Sequence, residues 1–145
     1  MQEGADQRLS VAGTPVAAGL DATGGWVGMQ VQFLLDRERG ADCTVLGRTI
    51  FEPGESSHQT HRHAGAEEAI LIVRGHGIVV DEDREVRVGP GDVFLHRRNA
   101  WHGFRNTSTT EEVEMLWVWS GAASRDEAGY ELAEAAGDSA SGAKA

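Results

Sequence analysis

The chain has 145 residues, of which 40% are hydrophobic, enough to bury the core of one ordinary domain. Asp and Glu number 23 against 13 Lys and Arg, so the formal net charge is -10. Such a surface repels phosphate backbones and anionic membranes, which argues against nucleic acid or a membrane as a partner.

Cysteine usage and the apolar runs predict the compartment. Cys43 is the single cysteine, so no intrachain disulfide can form, and its apolar-leaning surroundings predict a buried, unreactive thiol. Glu3 and Asp6 stand where a signal peptide would need basic residues. The longest strongly apolar run, residues 69–73, is far too short to span a bilayer. We therefore expect a cytoplasmic protein.

Composition divides the chain into three parts. Residues 1–25 are rich in Gly, Ala and polar residues without a sustained period, which predicts an N-terminal arm, either loose or laid across a neighbouring surface. Residues 135–145 are almost entirely Ala, Gly and Ser, which predicts a disordered tail. Residues 26–134 remain as one folded domain.

Within that domain, short strands alternate with turns. The predicted strands are residues 26–35, 44–51, 59–63, 69–73, 78–80, 86–88, 93–95, 101–105 and 113–119. Only residues 124–134 suggest a helix, with Ser124 as the N-cap and Glu127 as its capping-box partner. Many strands, one short C-terminal helix and no alternation of strands with helices predict an all-β sandwich or barrel.

Histidines on one predicted strand suggest a metal site. His61 and His63 point to the same face, with α-carbons about 6.6 Å apart, so two imidazoles can converge on one ion. Glu68 follows the small-residue turn 64–66 and could add an anionic oxygen. A pair of histidines spaced in this way is common, however, and by itself could be a solvated strand edge.

The spacing of the residues from His61 to Asn106 favours a metal site over a solvated strand edge. Four residues separate His63 from Glu68, and six separate Glu68 from Gly75. Fifteen residues then separate Gly75 from Gly91, ten separate Gly91 from His102, and three separate His102 from Asn106. This pattern resembles the two conserved motifs of the cupin superfamily. The resemblance implies a small jelly-roll barrel, also called a double-stranded β-helix, over residues 26–134. It also implies a single metal ion, bound inside the barrel by His61, His63, Glu68 and His102.

Several positions leave alternatives open or depart from the motif. Glu67 competes with Glu68, but on a strand it would point the other way. Glu55 stands where the first motif normally has glycine. In the second motif Arg97 and Asn99 replace the usual Pro and Gly, and Asn tolerates the left-handed conformation that Gly would supply. Arg97 places a positive charge at the cavity mouth and is a candidate catalytic residue.

Other polar residues near the motif have several possible roles. His58 could replace Glu68 in the metal shell, act as a catalytic base, or be an exposed loop residue. Gln59 shares strand parity with His61 and could reach the ion. His96 and His76 are interpreted as structural or surface residues.

The rest of the predicted barrel interior indicates the type of ligand. Bulky side chains could line an apolar cavity that suits a large, flat molecule, although some of them must simply form the core. The candidate substrate contacts are Phe33, Phe94, Trp101, Phe104, Met115, Trp117 and Trp119. The metal would be one divalent transition ion; zinc is favoured, and iron, manganese or nickel would also fit the donor set.

The stretches 117–121 and 127–130 are similar to the ends of the cupin-type aromatic polyketide cyclases of the tetracenomycin and resistomycin kind. That resemblance implies a metal-dependent enzyme that closes a poly-β-keto chain by intramolecular aldol condensation and aromatisation. An acyl carrier protein could deliver the polyketide, and the base could be a metal-bound hydroxide or His58.

Two other functions remain open. One is an iron-, manganese- or nickel-dependent dioxygenase acting on an aromatic or enol substrate, and the other is a cupin that only binds a small ligand. Cupins commonly form homodimers, and we expect the strand at residues 26–35, with its arm, to add to a partner's sheet.

Overall fold

The computed structural model describes residues 8–134, so the tail predicted for residues 135–145 lies outside the described residues. The strands are β1 Trp26–Val27, β2 Met29–Leu35, β3 Thr44–Phe51, β4 Ser57–Arg62, β5 Glu67–Arg74, β6 Gly77–Asp81, β7 Arg84–Val88, β8 Val93–His96, β9 His102–Asn106, β10 Val113–Ser120 and β11 Glu131–Leu132. The helices are two 3-10 turns, Ala22–Gly24 and Arg37–Arg39, and the single α-helical turn α1, Arg125–Ala128.

The strands form two antiparallel sheets that face each other. The first sheet has the order β1-β4-β9-β6-β7, with β11 also pairing with β4, and the second has the order β2-β3-β10-β5-β8. Their inner faces hold one apolar core that includes Val45, Phe51, Ile72, Val79 and Val113. The structure confirms the predicted all-β jelly-roll barrel.

Alternation along β10 explains how one strand serves both core and surface. Val113, Met115, Trp117 and Trp119 are buried, while the residues between them are partly exposed. A large aromatic side chain therefore enters the barrel at every second position near the end of the strand.

Gly28 changes the predicted first strand. The segment 26–35 is two strands, because β1 pairs with β4 in the first sheet and β2 pairs with β3 in the second. Gly28 lies between them with φ +63°, and a Cβ there would come within 2.8 Å of the Ser56 Cβ. The glycine thus forms the corner where the chain crosses from one sheet to the other.

The prediction of a helix over residues 124–134 is wrong beyond its first turn. Ser124 does cap α1, since its hydroxyl accepts from the Glu127 amide at 3.2 Å and donates to the Glu127 carboxylate at 3.0 Å. Gly129 then turns the chain with φ +76°, and Leu132 of β11 pairs with His61 of β4. Pairing of β11 with β4 outweighs the weak helical signal of this segment.

The described part of the arm lies on its own chain. The Ala17 amide donates to the Val31 carbonyl of β2 at 2.7 Å, and the Gln32 side chain donates to the carbonyls of Val11 and Thr14. These contacts occupy part of the strand that was predicted to add to a partner's sheet. The homodimer itself stays a prediction.

Two local expectations have opposite outcomes. Asn99 takes the left-handed conformation expected of it, with φ +65°, and Glu55 does the same with φ +68°. Cys43 is exposed, so the prediction of a buried thiol is wrong. The residue lies in the bend before β3, where no side chain from the opposite sheet covers it. Among residues 8–134, no helix is long and apolar enough to cross a membrane.

Candidate metal centre

Three buried histidines converge inside the barrel. His61 lies on β4 directly opposite His102 of β9, and His63 follows the end of β4. One ligand nitrogen from each ring lies within 4.8 Å of the other two. The side chains are 1–3% exposed, so the cluster is closed off from bulk water.

The backbone sets the orientation of these rings. The Nδ1–H groups of His61, His63 and His102 donate to the carbonyls of Gln59, Gly129 and Ala100, at 2.7, 2.6 and 2.9 Å. A carbonyl can only accept, so each ring carries a proton on Nδ1, and in the neutral ring the lone pair is on Nε2. All three Nε2 atoms are buried without a hydrogen-bond partner. Three imidazoles that turn their Nε2 atoms to one point fit a divalent transition metal.

Glu68 lies beside this cluster. Its Oε1 accepts from the Trp119 indole N–H at 2.7 Å, and its Oε2 lies 3.2 Å from His102 Nε2. Glu68 forms a second group of potential ligands, together with His96 and His102. Its place as the fourth ligand stays a prediction. Glu67 is exposed and points outward, as strand alternation predicted.

The charges in the cluster balance one another. Burial lowers the pKa of His61 well below its usual value and also lowers that of His63. Burial opposes the charge on Glu68 as well, but His102 and the other histidines outweigh it and hold the carboxyl pKa well below its usual range. The same contact raises the pKa of His102 in spite of its burial. An ionised carboxylate beside the neutral rings of His61 and His63 suits a divalent cation.

A β-bulge brings His58 into the site. Strict alternation would place His58 and His61 on opposite faces of β4, but the register against β9 shifts between them. The two rings stack with centroids 3.7 Å apart, and His58 lines the cavity. Burial lowers the pKa of His58 to about 3, so the ring is neutral. Gln59, expected on the same face as His61, is exposed instead.

His96 belongs to the site, although the sequence suggested a structural or surface role. Its side chain is 2% exposed, and the ring stacks on His102 with centroids 4.2 Å apart. Its Nδ1 lies 3.4 Å from an Asp81 carboxylate oxygen, and burial lowers its pKa to about 4. Alternation could not have indicated this, because Val93 and Leu95 are apolar yet exposed, and the pattern of β8 would have placed His96 outward. His76 is exposed, as expected.

The histidines lie at one end of an apolar cavity. Five of the predicted substrate contacts line it: Phe33, Phe104, Met115, Trp117 and Trp119. Phe33 meets Trp117 edge-on with centroids 5.6 Å apart, and Trp117 and Trp119 are 4.9 Å apart. Aromatic pairs of this geometry form rigid walls.

A family model described as a cupin domain matches residues 47–119, half of the chain. The chain belongs to the cupin family. None of the curated proteins compared with it matches.

Solved structures agree with this assignment. The polyketide cyclase RemF from Streptomyces resistomycificus is 21% identical over 95% of this chain and 92% of that chain, with a TM-score of 0.72. A cupin-2 domain from Rhodospirillum rubrum is 18% identical over 92% and 84%, also with a TM-score of 0.72. A predicted oxalate decarboxylase from Thermotoga maritima is 28% identical over 63% and 79%, with a TM-score of 0.59. At this identity, the likeness to the first two shows the fold alone.

Three of the predicted site residues lie away from the cavity of this cupin. Trp101 precedes the inward-facing His102 and so points outward, where its ring stacks with the Arg62 guanidinium at 4.3 Å. Phe94 packs against the core beside His96 but does not line the cavity. Arg97 is exposed in the turn after β8 and does not line the cavity either.

Sequence reasoning missed three cavity residues that come from the two ends of the domain. Trp26, Arg125 and Tyr130 line the cavity, and the Arg125 guanidinium lies 5.4 Å from the centre of the Trp26 ring. Arg125, rather than Arg97, is therefore the cation among the described lining residues. No local pattern indicates these residues, because β1 and β11 reach the site by pairing with β4 at long range.

Proposed function

We propose that this cupin is a metal-dependent cyclase that closes a poly-β-keto chain into an aromatic ring by intramolecular aldol condensation. One observation carries the proposal: three imidazole nitrogens without a hydrogen-bond partner converge in a partly enclosed apolar cavity with aromatic walls. The likeness in fold to the polyketide cyclase RemF supports the choice of reaction.

The walls suit a flat, ketone-bearing chain because their own polar groups are already paired. The Trp117 indole N–H donates to the Thr49 hydroxyl at 3.0 Å, and the Trp119 N–H donates to Glu68. Neither indole is free to donate to a ligand, so the walls offer apolar ring faces. Packing between such faces would hold a flexible chain in one folded arrangement, which selects the carbon atoms that meet.

Several polar groups of the cavity lie around the clustered histidines. His58, Glu68 and His96 surround the three free nitrogens of the cluster. A divalent metal bound by His61, His63 and His102 would act there as a Lewis acid toward a keto oxygen. One proton must leave the carbon between two carbonyls, and the newly formed hydroxyl later leaves as water. The neutral ring of His58 is a candidate acceptor for that proton.

The test is ring closure of a synthetic poly-β-ketone thioester by zinc-loaded protein under nitrogen. We expect products lighter by one water for each ring closed and aromatised, detected by mass spectrometry and ultraviolet absorbance. His61→Ala should abolish turnover and lower zinc affinity at least ~100-fold. His76→Ala, which replaces an exposed histidine outside the site, is the matched control and should keep both.

The same histidines would also serve a dioxygenase, since nitrogen donors with open positions suit iron, manganese and nickel as well. Turnover that requires oxygen, together with iron, manganese or nickel in the protein as purified, would replace the cyclase proposal with that alternative. Binding of the thioester with no product under either atmosphere would instead indicate a ligand-binding cupin.

A further inference from the structure

Tyr130 joins the two ends of the domain at the edge of the metal centre. Its hydroxyl donates to the Gly24 carbonyl at 2.6 Å, and its ring stacks on Trp26 with centroids 4.7 Å apart. The same hydroxyl oxygen lies 3.2 Å from Nε2 of His58. The phenol is therefore fixed on both sides before any ligand binds.

These contacts determine which nitrogen of His58 carries the proton. A carbonyl can only accept, so the single phenolic hydrogen of Tyr130 goes to Gly24. The Tyr130 oxygen can then only accept from His58, which requires a hydrogen on Nε2. In the neutral ring the lone pair is left on Nδ1.

His58 thus carries its hydrogen on Nε2, whereas the three clustered histidines carry theirs on Nδ1. Their Nδ1 atoms donate to backbone carbonyls, and their Nε2 atoms are the buried atoms without a partner. Among the described residues, Nδ1 of His58 makes no hydrogen bond. Unlike the three clustered Nε2 atoms, this Nδ1 atom is not fully buried, so it keeps contact with open space. Because His58 lines the cavity, this lone pair is available to a ligand there.

We propose that Tyr130 is a positioning residue that fixes His58 in the Nε2–H tautomer, so that Nδ1 accepts a hydrogen bond from an enolic hydroxyl of the substrate. A second consequence is that His58 does not ligate the metal through Nε2. The identity of the donor rests on the proposed function, because a poly-β-ketone supplies enolic O–H groups. The tautomer rests only on the contacts of Tyr130.

The first experiment measures the tautomer directly. Long-range nitrogen–proton NMR spectra of zinc-loaded protein with ¹⁵N-labelled histidine distinguish Nδ1–H from Nε2–H rings, and His58→Asn identifies the His58 signals. We expect Nε2–H for His58 and Nδ1–H for His61, His63 and His102. Tyr130→Phe keeps the ring but removes the oxygen, so His58 should become a mixture of tautomers.

Trp101→Phe is the matched control, since it changes an aromatic ring outside the cavity and should leave the His58 signals unchanged. An Nδ1–H tautomer of His58 in the wild-type protein would overturn the inference. An unchanged tautomer in Tyr130→Phe would overturn it as well. Loss of bound zinc in Tyr130→Phe would show that the tyrosine acts on the metal, and would also count against the inference.

The second experiment measures turnover of the poly-β-ketone thioester. Losing one positioned hydrogen bond should lower kcat about tenfold in Tyr130→Phe, with a smaller change in KM. If the wild-type protein does not cyclise the probe, the proposed function fails while the tautomer result stands. If the wild-type protein turns over but Tyr130→Phe keeps its kcat, the positioning role fails and the proposed function stands.

Discussion

The first sheet contributes the converging nitrogen donors of the site, whereas the second contributes most of its apolar wall. β4 and β9 carry His58, His61 and His102, and main-chain carbonyls hold the His61 and His102 rings. In the facing sheet, β10 carries Trp117 and Trp119, whose N–H groups are satisfied by neighbouring side chains. Backbone geometry thus orients the ligands, while side-chain packing shapes the wall. Mutations in the two sheets should therefore change different quantities.

The largest effect is expected in the wall. Trp117 is buried and packs edge-on against Phe33, so Trp117→Ala should lower the free energy of unfolding by about 3–5 kcal/mol. Urea unfolding of the metal-free protein measures it. Trp101→Ala, on the outer surface, should cost less than about 1 kcal/mol. Equal losses for the two variants would mean that the wall is not part of the core.

Removing a ligand should change metal binding more than any substitution in the wall. His61→Ala leaves two of the three converging nitrogens, so zinc affinity should fall at least ~100-fold. Competition with a chromophoric chelator measures the dissociation constant. Trp117→Ala should stay within about threefold of wild type in the same assay, since Trp117 contacts none of the ligand nitrogens. A comparable loss in both variants would contradict the division between the sheets.

Glu68 belongs to the second sheet but contacts His102 of the first, so it should have an intermediate effect. Glu68→Gln removes the negative charge beside His102 but keeps an oxygen that can accept from Trp119, so zinc affinity should fall about tenfold. Glu67→Gln changes the neighbouring, outward-facing carboxylate and is the matched control. Identical affinities for the two variants would remove Glu68 from the metal site.

The smallest effect should come from the indole that holds Glu68. Trp119→Phe loses the N–H that donates to Oε1, which should weaken zinc binding about threefold through a less restrained carboxylate. Trp117→Phe loses an equivalent N–H, but its partner is the Thr49 hydroxyl, so zinc affinity should not change. Calorimetric titration of both variants with zinc separates the two outcomes.

The sequence predicted the parts of this molecule that depend on spacing within one strand or one motif. Motif spacing indicated His61, His63 and His102, which the structure brings together, and alternation indicated the inward aromatic residues of β10. Trp101 was misplaced, even though its position beside the inward-facing His102 already predicts an outward side chain.

The remaining site residues depend on pairings that no local pattern encodes. A bulge against β9 brings His58 inward and turns Gln59 outward. The register between β5 and β8 places His96 opposite Glu68. Tyr130 reaches the cavity only because β11 pairs with β4, across about seventy residues of chain. Such long-range registers are set by the whole barrel rather than by neighbours in sequence.

The carbonyl of Gly129 has a consequence for the order in which the site is completed during synthesis. All three clustered histidines have been added to the chain by residue 102, but the acceptor that turns His63 toward the others is added 27 residues later. A nascent chain therefore contains all three clustered histidines before it contains the Gly129 carbonyl that orients His63. High-affinity metal binding therefore requires the segment that contains Gly129, so a bound metal also indicates that this C-terminal segment has folded onto the barrel.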